Sequence, residues 1–389
     1  MNRILLVSPV SPFDEKSGAS QRSALMLKAL EGLAKVDVLC LRPGTETNLV
    51  LHAVEGARFI EASLSGADGI LWRFSPKIEF TKQLEALLGH PLGGFDLIVG
   101  RYAWGLCQLD IPSSVRTLVD LDDYRFRFSR LYERSPANVA ERLRKWLGHA
   151  LAKRNLRRFT GAFVASMRDF DEISASSQLP ACFLPNVAPA IPPASSMLPV
   201  DGQVLFVGSL WYGPNVQGVG WFLRHVWPSV RVRFPKARFL LVGAASQEAR
   251  SRWESIDGVR APGFVDDLSA TYAESMVAVV PIQSGGGSNI KVLEALRLGR
   301  PCVVSSFVAS AFSPHLQPGV HFRTAETAPR FVEEICEILG GTNVEIEATR
   351  RQRGYEAVAE HFCPDSFVVT VRAFVGQVEV ATQAAEATS

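Results

Sequence analysis

No stretch of ~20 uninterrupted apolar residues occurs in this sequence, so the chain offers no transmembrane helix. The first residues, MNRILLVSPVSPFDEKSG, lack the apolar length and the small-residue cleavage site of a signal peptide. They read as a strand entering a loop. Cysteine is sparse: Cys40, Cys107, Cys182, Cys302, Cys336 and Cys363 are scattered, with no CxxC. His361 lies near Cys363, but one such pair is not a metal-site spacing. The cysteines read as reduced thiols of a cytosolic protein, and a structural zinc is not expected. No repeat of solenoid length and no long low-complexity tract are present. Charge of one sign is also lacking. With 41 Lys and Arg against 39 Asp and Glu, the formal net charge of +2 selects no partner, and nucleic acid gains no support from it. What is present is 47% hydrophobic and 21% charged residues over 389 positions, a globular chain long enough for two domains.

In the first half, short apolar runs alternate with helical segments. Ile4–Val7, Val36–Leu41, Phe59–Ile60, Leu97–Val99, Thr117–Leu121 and Ala162–Ala165 read as strands. Arg22–Leu33, Phe80–Leu88 and Arg142–Phe159 read as helices. Such alternation predicts an α/β fold built from parallel βαβ units, with ligands at the carboxyl ends of the strands. Three features there carry chemistry. Arg101 closes the Leu97–Val99 strand region. An arginine is no general base at neutral pH, so it either binds an anionic acceptor or pairs in the core. Asp120, Asp122 and Asp123 follow the next strand, placed either for acceptor hydroxyls and acid–base work or for pairing with Arg125 and Arg127. Residues 125–158 hold eleven basic residues against Glu133 and Glu141, with Trp146, Leu147, Leu151 and Phe159 interleaved. A basic amphipathic helix of this kind can lie on an anionic membrane surface, or it can be a solvated face.

A Pro- and Ser-rich run, APAIPPASSMLP, then marks a linker. Beyond it, Val204–Gly208 and Phe239–Val242 read as strands, with an intervening helix that turns Val219, Phe222, Leu223 and Val226 inward. The most informative stretch is VVPIQSGGGSNIKVLEALRLGRPCVVSS, residues 279–306. A buried strand, Val277–Ile282, meets three glycines, Gly285–Gly287, then Ser288 and Asn289. The period then becomes helical, with Ile290, Leu293, Leu296 and Leu298 on or near one face. Gly299 and Pro301 end the helix, and Pro301–Ser305 is the next strand. Glycines let backbone N–H groups approach a ligand, and a helix start adds unpaired donors and a positive dipole end. Lys291, in the first turn, opposes that dipole unless an anion lies nearby. Glu294 is within its reach and could accept hydrogen bonds from a ribose diol. A plain βαβ unit with a surface Lys–Glu pair is the alternative. From Pro329 onward only helices are expected: one to Leu339, one over Glu347–Phe362, and, past Pro364, a last amphipathic one over Phe367–Val378. The tail from Thr382 is expected to be disordered.

The stretch GGGSNIKVLEALRLGRPCVVSS resembles the donor-site signature of retaining GT-B glycosyltransferases of the group 1 type, in its GGGTRIKVLEAMAAGRPVV variant. Further segments are similar to the same family: the loop around Gly18, Leu184-Pro-Asn-Val, Gly208-Ser-Leu-Trp-Tyr-Gly-Pro-Asn, and Gly263-Phe-Val-Asp-Asp-Leu. The resemblance implies two Rossmann-like domains facing across a cleft. These are an acceptor domain over residues 1–187 and a nucleotide-sugar donor domain over 200–363, with 188–199 as linker and a C-terminal helix, 364–380, crossing back to the first domain.

By the same resemblance, Glu294 holds the donor ribose. The diphosphate lies on Gly18, Gly208, Ser209, Gly286, Gly287, Ser288, Asn289 and Ile290, with Lys291 as the leading cation. Gly263 and Phe264 lie along the base, although Asp266 or Asp267 as a helix cap explains that turn equally. The family's other glutamate, eight positions before Glu294, is Gly286 here, and its acceptor-side histidine is replaced by Arg101. The implied activity is transfer of a sugar from a UDP- or GDP-linked donor, with retention, to a glycan or lipid-linked acceptor in polysaccharide biosynthesis. Lys291, Glu294, Asp120, Asp122 and Arg101 are its catalytic candidates, and no metal is needed. A sugar-nucleotide epimerase and a non-catalytic binding subunit are the alternatives. The expected location is cytoplasmic, with the inner membrane face as an option through residues 125–158.

Overall fold

The computed structural model describes residues 1–14, 18–54, 57–65, 75–122, 154–188 and 199–386. Asp123, most of the basic segment (125–153) and most of the linker (189–198) lie outside these. The chain divides into two compact units, Met1–Asn186 together with Pro364–Ser389, and Val187–Cys363.

The first unit is built on an eight-stranded sheet of order β3-β4-β2-β1-β5-β6-β7-β8. Its strands are β1 (Arg3–Ser8), β2 (Lys35–Pro43), β3 (Asn48–Val54), β4 (Ala57–Leu64), β5 (Leu97–Arg101), β6 (Arg116–Leu121), β7 (Gly161–Val164) and β8 (Ala181–Phe183). All pairs are parallel except β3 with β4. Burial on both faces explains why β1 and β5 read as unbroken apolar runs. β3 was not expected. Its sequence, NLVLHAV, alternates Leu49, Leu51 and Ala53 with other residues, and it pairs at the sheet edge with β4. That pairing also makes β4 longer than the expected Phe59–Ile60. The helices are α1 (Gly18–Glu31), α2 (Ile78–Leu88), the short α3 (Ala103–Cys107) and α4 (Met167–Ser176).

The second unit is a six-stranded parallel sheet of order β11-β10-β9-β12-β13-β14. It comprises β9 (Gln203–Val207), β10 (Arg238–Val242), β11 (Val259–Gly263), β12 (Val277–Val280), β13 (Cys302–Ser305) and β14 (Arg323–Ala325). Its helices are α5 (Gly213–His225), α6 (Trp227–Arg233), α7 (Gln247–Glu254), α8 (Leu268–Ala273), α9 (Ile290–Arg297), α10 (Ser306–Ala309), α11 (Ala328–Leu339) and α12 (Val344–His361). Phe222, Trp227 and Phe239 pack ring to ring, with Phe331 edge-on to Phe222. Asp267 caps α8 by accepting from Ala270 N at 2.8 Å.

The last helix, α13 (Pro364–Glu386), belongs to the first unit. It continues past Val378 into residues expected to be disordered, because Gln377 to Glu386 contains no glycine or proline and is rich in good helix formers.

Candidate functional site

Open parallel sheets bind ligands outside the carboxyl ends of their strands, where the strand order reverses. In the second sheet the chain runs outward from β9 to β10 and β11, then returns to β12 on the other side of β9. The reversal lies between β9 and β12. β9 ends at Val207, leading into Gly208 and Ser209, and β12 leads through Gly285–Asn289 into α9. These are the two loops singled out in the sequence.

The loop after β12 depends on its glycines. Gly285 has φ +119° and Gly287 φ +71°, a left-handed region that disfavours a side chain. Asn289 also enters α9 left-handed, at φ 47°, and its side chain caps none of the first-turn N–H groups. Ser288 is fully buried beneath them. The buried face of α9 is Val292, Leu293, Ala295 and Leu296, so Leu293 and Leu296 are buried as expected while Ile290 and Leu298 are only partly covered. Lys291 and Glu294 therefore border the packed face, half-buried, instead of standing free on the surface.

The Lys291–Glu294 pair of the alternative reading is not formed, and each side chain takes another partner. Lys291 Nζ donates to Asn215 Oδ1 at 3.0 Å and lies 5.2 Å from the centre of the Phe206 ring. Glu294 Oε2 accepts the Tyr272 hydroxyl at 2.9 Å. Burial lowers the Lys291 pKa to about 8, partly opposed by the nearby Glu294 charge. Burial also raises the Glu294 carboxyl, against the Tyr272 hydrogen bond and the Lys291 charge. Asn215, in the first turn of α5, is fixed in turn by donating from Nδ2 to the Ser209 carbonyl at 2.8 Å. A Cβ on Gly208 would stand 2.8 Å from that nitrogen and 3.1 Å from Lys291 Cε, so a side chain at 208 would push on both Asn215 and the lysine stem.

Gly208, Ser209, Gly286, Gly287, Ser288, Asn289, Ile290, Lys291 and Glu294 thus lie on the loops and helix at one reversal. Gly263 and Phe264 end β11, two strands away, with Phe264 76% exposed. Asn215 and Tyr272 were missed. The signal for Asn215 was its place just after Pro214 at a helix start. Tyr272 had none, because its contact spans 22 residues.

The first sheet reverses between β1 and β5. Gly18 opens α1 beyond β1, and a small pocket lies beside Ser8, Pro9, Arg101, Tyr102, Trp104 and Gly105. Arg101 is buried. Its Nε lies 3.2 Å from Asp120 Oδ2, its Nη2 2.5 Å from Asp122 Oδ2, and its Nη1 donates to Ser23 Oγ at 2.9 Å. Asp120 is fully buried as well, with Arg22 bound to both its oxygens at 2.7 and 2.8 Å. Burial would raise the Asp120 pKa, but Arg22 and then Arg101 hold it below the usual carboxylate range. Such a carboxylate stays ionised between two guanidinium groups. Of the two readings of Arg101 and Asp120, the geometry shows the pairing one, with Asp120 held between Arg22 and Arg101. Asp122 differs: its side chain is 13% exposed, and its Oδ1 has no hydrogen-bond partner among the described residues. Next to this cluster Tyr102 holds φ +65°, an uncommon backbone state for a bulky residue.

Among the described residues no group of three or more His, Cys, Asp or Glu is placed to hold a metal ion, and no helix is long and apolar enough to cross a membrane. None of the six cysteines is in a disulfide. In the basic segment, Arg154, Arg157 and Arg158 are exposed while Leu156 and Phe159 are buried.

Residues 201–340 match the family model for glycosyl transferases group 1. An uncharacterized 44.6 kDa protein in the cps region of Klebsiella pneumoniae is 31% identical over 117 residues, which is 28% of this chain and only 30% of that protein's length. Among solved structures, sucrose-phosphate synthase of Thermosynechococcus elongatus is 16% identical with a TM-score of 0.70, over 98% of this chain and 100% of that one. Anabaena Alr3699/HepE in complex with UDP gives 12% and 0.64, over 98% and 100% of the two chains. Trehalose 6-phosphate synthase of Burkholderia multivorans gives 13% and 0.65, over 100% and 98%. At such identities the likeness is one of fold, and the fold is GT-B. The family match lies within the second unit.

Proposed function

We propose that the chain transfers a sugar from a UDP- or GDP-linked donor to a glycan or lipid-linked acceptor, with retention of configuration. The observation that carries this reading is the meeting, at the β9/β12 reversal, of a glycine loop, an uncapped helix start, a half-buried lysine and a hydrogen-bonded glutamate. All lie within the residues that match the glycosyl transferases group 1 model. In this reading the diphosphate lies on the backbone N–H groups of Gly286–Ile290 and of Gly208–Ser209, against Lys291 Nζ. Glu294 has one oxygen engaged by Tyr272 and offers the other to the ribose diol. Gly263 and the exposed Phe264 lie along the base.

As the bond between the anomeric carbon and the diphosphate oxygen breaks, negative charge grows on that oxygen. Fixed N–H donors and the Lys291 ammonium stabilise it without reorganising, which is where electrostatic catalysis is strongest. The acceptor hydroxyl attacks from the same face, and its proton passes to the departing oxygen. The scheme calls on no carboxylate nucleophile and no metal. Acceptors presented at an anionic bilayer would suit the basic segment 125–158 and a cytoplasmic location at the inner membrane face.

The test is a thermal-shift screen of the full chain against UDP, GDP, ADP, dTDP and their sugars. A selective shift with UDP or GDP, abolished in Glu294→Ala, is expected. No shift with any nucleotide, or unchanged binding and turnover in Glu294→Ala, would overturn the proposal.

A further inference from the structure

The Lys291 ammonium is held by an amide, not by a carboxylate. Glu294 lies on the same helix one turn on, yet its Oε2 is taken by the Tyr272 hydroxyl. Lys291 turns to Asn215 Oδ1, 3.0 Å away. The amide cannot be reversed, because its Nδ2 must donate to the Ser209 carbonyl at 2.8 Å while its oxygen accepts from the ammonium. Asn215 is only 5% exposed, and the missing side chain of Gly208 makes room for both partners. The titratable groups that face Lys291 are Glu294 on its own helix and Tyr272 from α8. From β9, its exit and α5 come Phe206, Gly208 and Asn215, all uncharged.

We infer that Asn215 is a positioning residue for diphosphate binding. It orients Lys291 at the β9/β12 reversal through a neutral oxygen and so adds no further carboxylate against the ammonium charge that a nucleoside diphosphate would meet. The inference rests on the donor-site reading above. A carboxylate at position 215 could accept from the ammonium but could not donate to the Ser209 carbonyl, and it would neutralise the cation and repel the diphosphate. Asparagine supplies the hydrogen bond without the charge.

The sign of the pH response follows. Lys291 titrates near pH 8, carries its charge below that value and loses it above, so diphosphate affinity falls as pH rises through about 8. A carboxylate neighbour favours the ammonium and moves that falling limb to higher pH.

The experiment is calorimetric titration of the full chain with UDP and with GDP on both sides of pH 8, for the wild type, Asn215→Asp, Asn215→Ser and Lys291→Met. At neutral pH Asn215→Asp is expected to bind roughly tenfold more weakly, with its falling limb displaced upward. Asn215→Ser is expected to weaken binding by a similar factor without that displacement, and it carries the test if Asn215→Asp does not fold. Two results would overturn the inference while leaving the donor site standing: wild-type affinity in Asn215→Ser and Asn215→Asp when Lys291→Met has lost binding, or weakened Asn215→Asp binding with an unmoved limb. If Lys291→Met binds UDP and GDP as the wild type does, the donor-site reading itself fails.

Discussion

Replacing Asp120 by asparagine would leave two buried guanidinium groups, Arg22 and Arg101, sharing one carboxylate fewer. Breaking a buried ion pair from one side costs about 3–5 kcal/mol, so Asp120→Asn should lower the stability of the first unit by that much in denaturant titration. The arrangement also sets a pH response. The folded pKa of Asp120 lies below its unfolded value. Its contribution is therefore complete above the unfolded value of about 3.9 and is lost as pH falls through the lower folded one. Acid titration of stability should show a wild-type loss in that range that Asp120→Asn lacks. The sequence placed Asp120 and Arg101 at strand ends but could not say whether they faced a ligand or each other. That is decided by the register of β5 against β6, which sets Arg101 opposite Asp120, and by Arg22, 98 residues away. Arg22 carried no sequence signal. It also donates to the Leu184 and Pro185 carbonyls and lies 5.2 Å from the centre of the Phe367 ring. Arg22→Ala should destabilise the first unit comparably to Asp120→Asn, and the double variant should cost less than the sum of the two, because the two side chains act as one pair.

Backbone hydrogen bonds join the carboxyl ends of β9, β10 and β11. Gly208 N donates to Val242 O at 2.9 Å, Gly243 N to Gly263 O at 2.8 Å, and Leu210 N to Ala244 O at 2.9 Å. Gly243 has φ +143°, and a Cβ there would stand 1.9 Å from Gly208 O. Gly243→Ala adds severe overlap to backbone strain of about 1–3 kcal/mol, so the second unit should lose at least about 3 kcal/mol and its nucleotide response. Gly299 is the control. Its φ is +63° with nothing within 4 Å of an added methyl group, so Gly299→Ala should cost only about 1–2 kcal/mol and leave binding intact. Periodicity showed the strand–loop–helix–strand order around α9, because burial on both strand faces and Gly–Pro punctuation are local effects. It found Leu293 and Leu296 on the buried face of the two-turn helix but put Ile290 and Leu298 beside them in place of Val292 and Ala295. Eight residues cannot fix a face to better than one position when the packing partner is a distant helix, here α12. It passed over β3 because an edge strand of ordinary composition declares itself only through its partner.

At the scale of the whole chain, the first unit is completed by residues that follow the second. Phe367, Val371, Phe374 and Val375 of α13 are buried, and Phe374 meets Phe163 edge-on with ring centres 5.0 Å apart. The fit is close, since a Cβ on Gly161 would stand 3.0 Å from the Phe374 ring. Arg372 Nε donates to Ala29 O at 3.0 Å, satisfying a carbonyl in the last turn of α1. Each buried side chain of this size contributes about 1.5–3 kcal/mol, so a chain stopped after Cys363 should lose most of the stability of its first unit. The second unit loses no residue by that cut, and it contains every proposed donor-site residue except Gly18. Calorimetry of the shortened chain should show the first unit's transition lowered or absent while the second unit's persists. That persisting transition should still rise with UDP or GDP, by the mass action of a ligand that binds only the folded state. Loss of both transitions together would mean that the two units fold as one cooperative body, and that the donor-side unit owes its stability to the helix that leaves it.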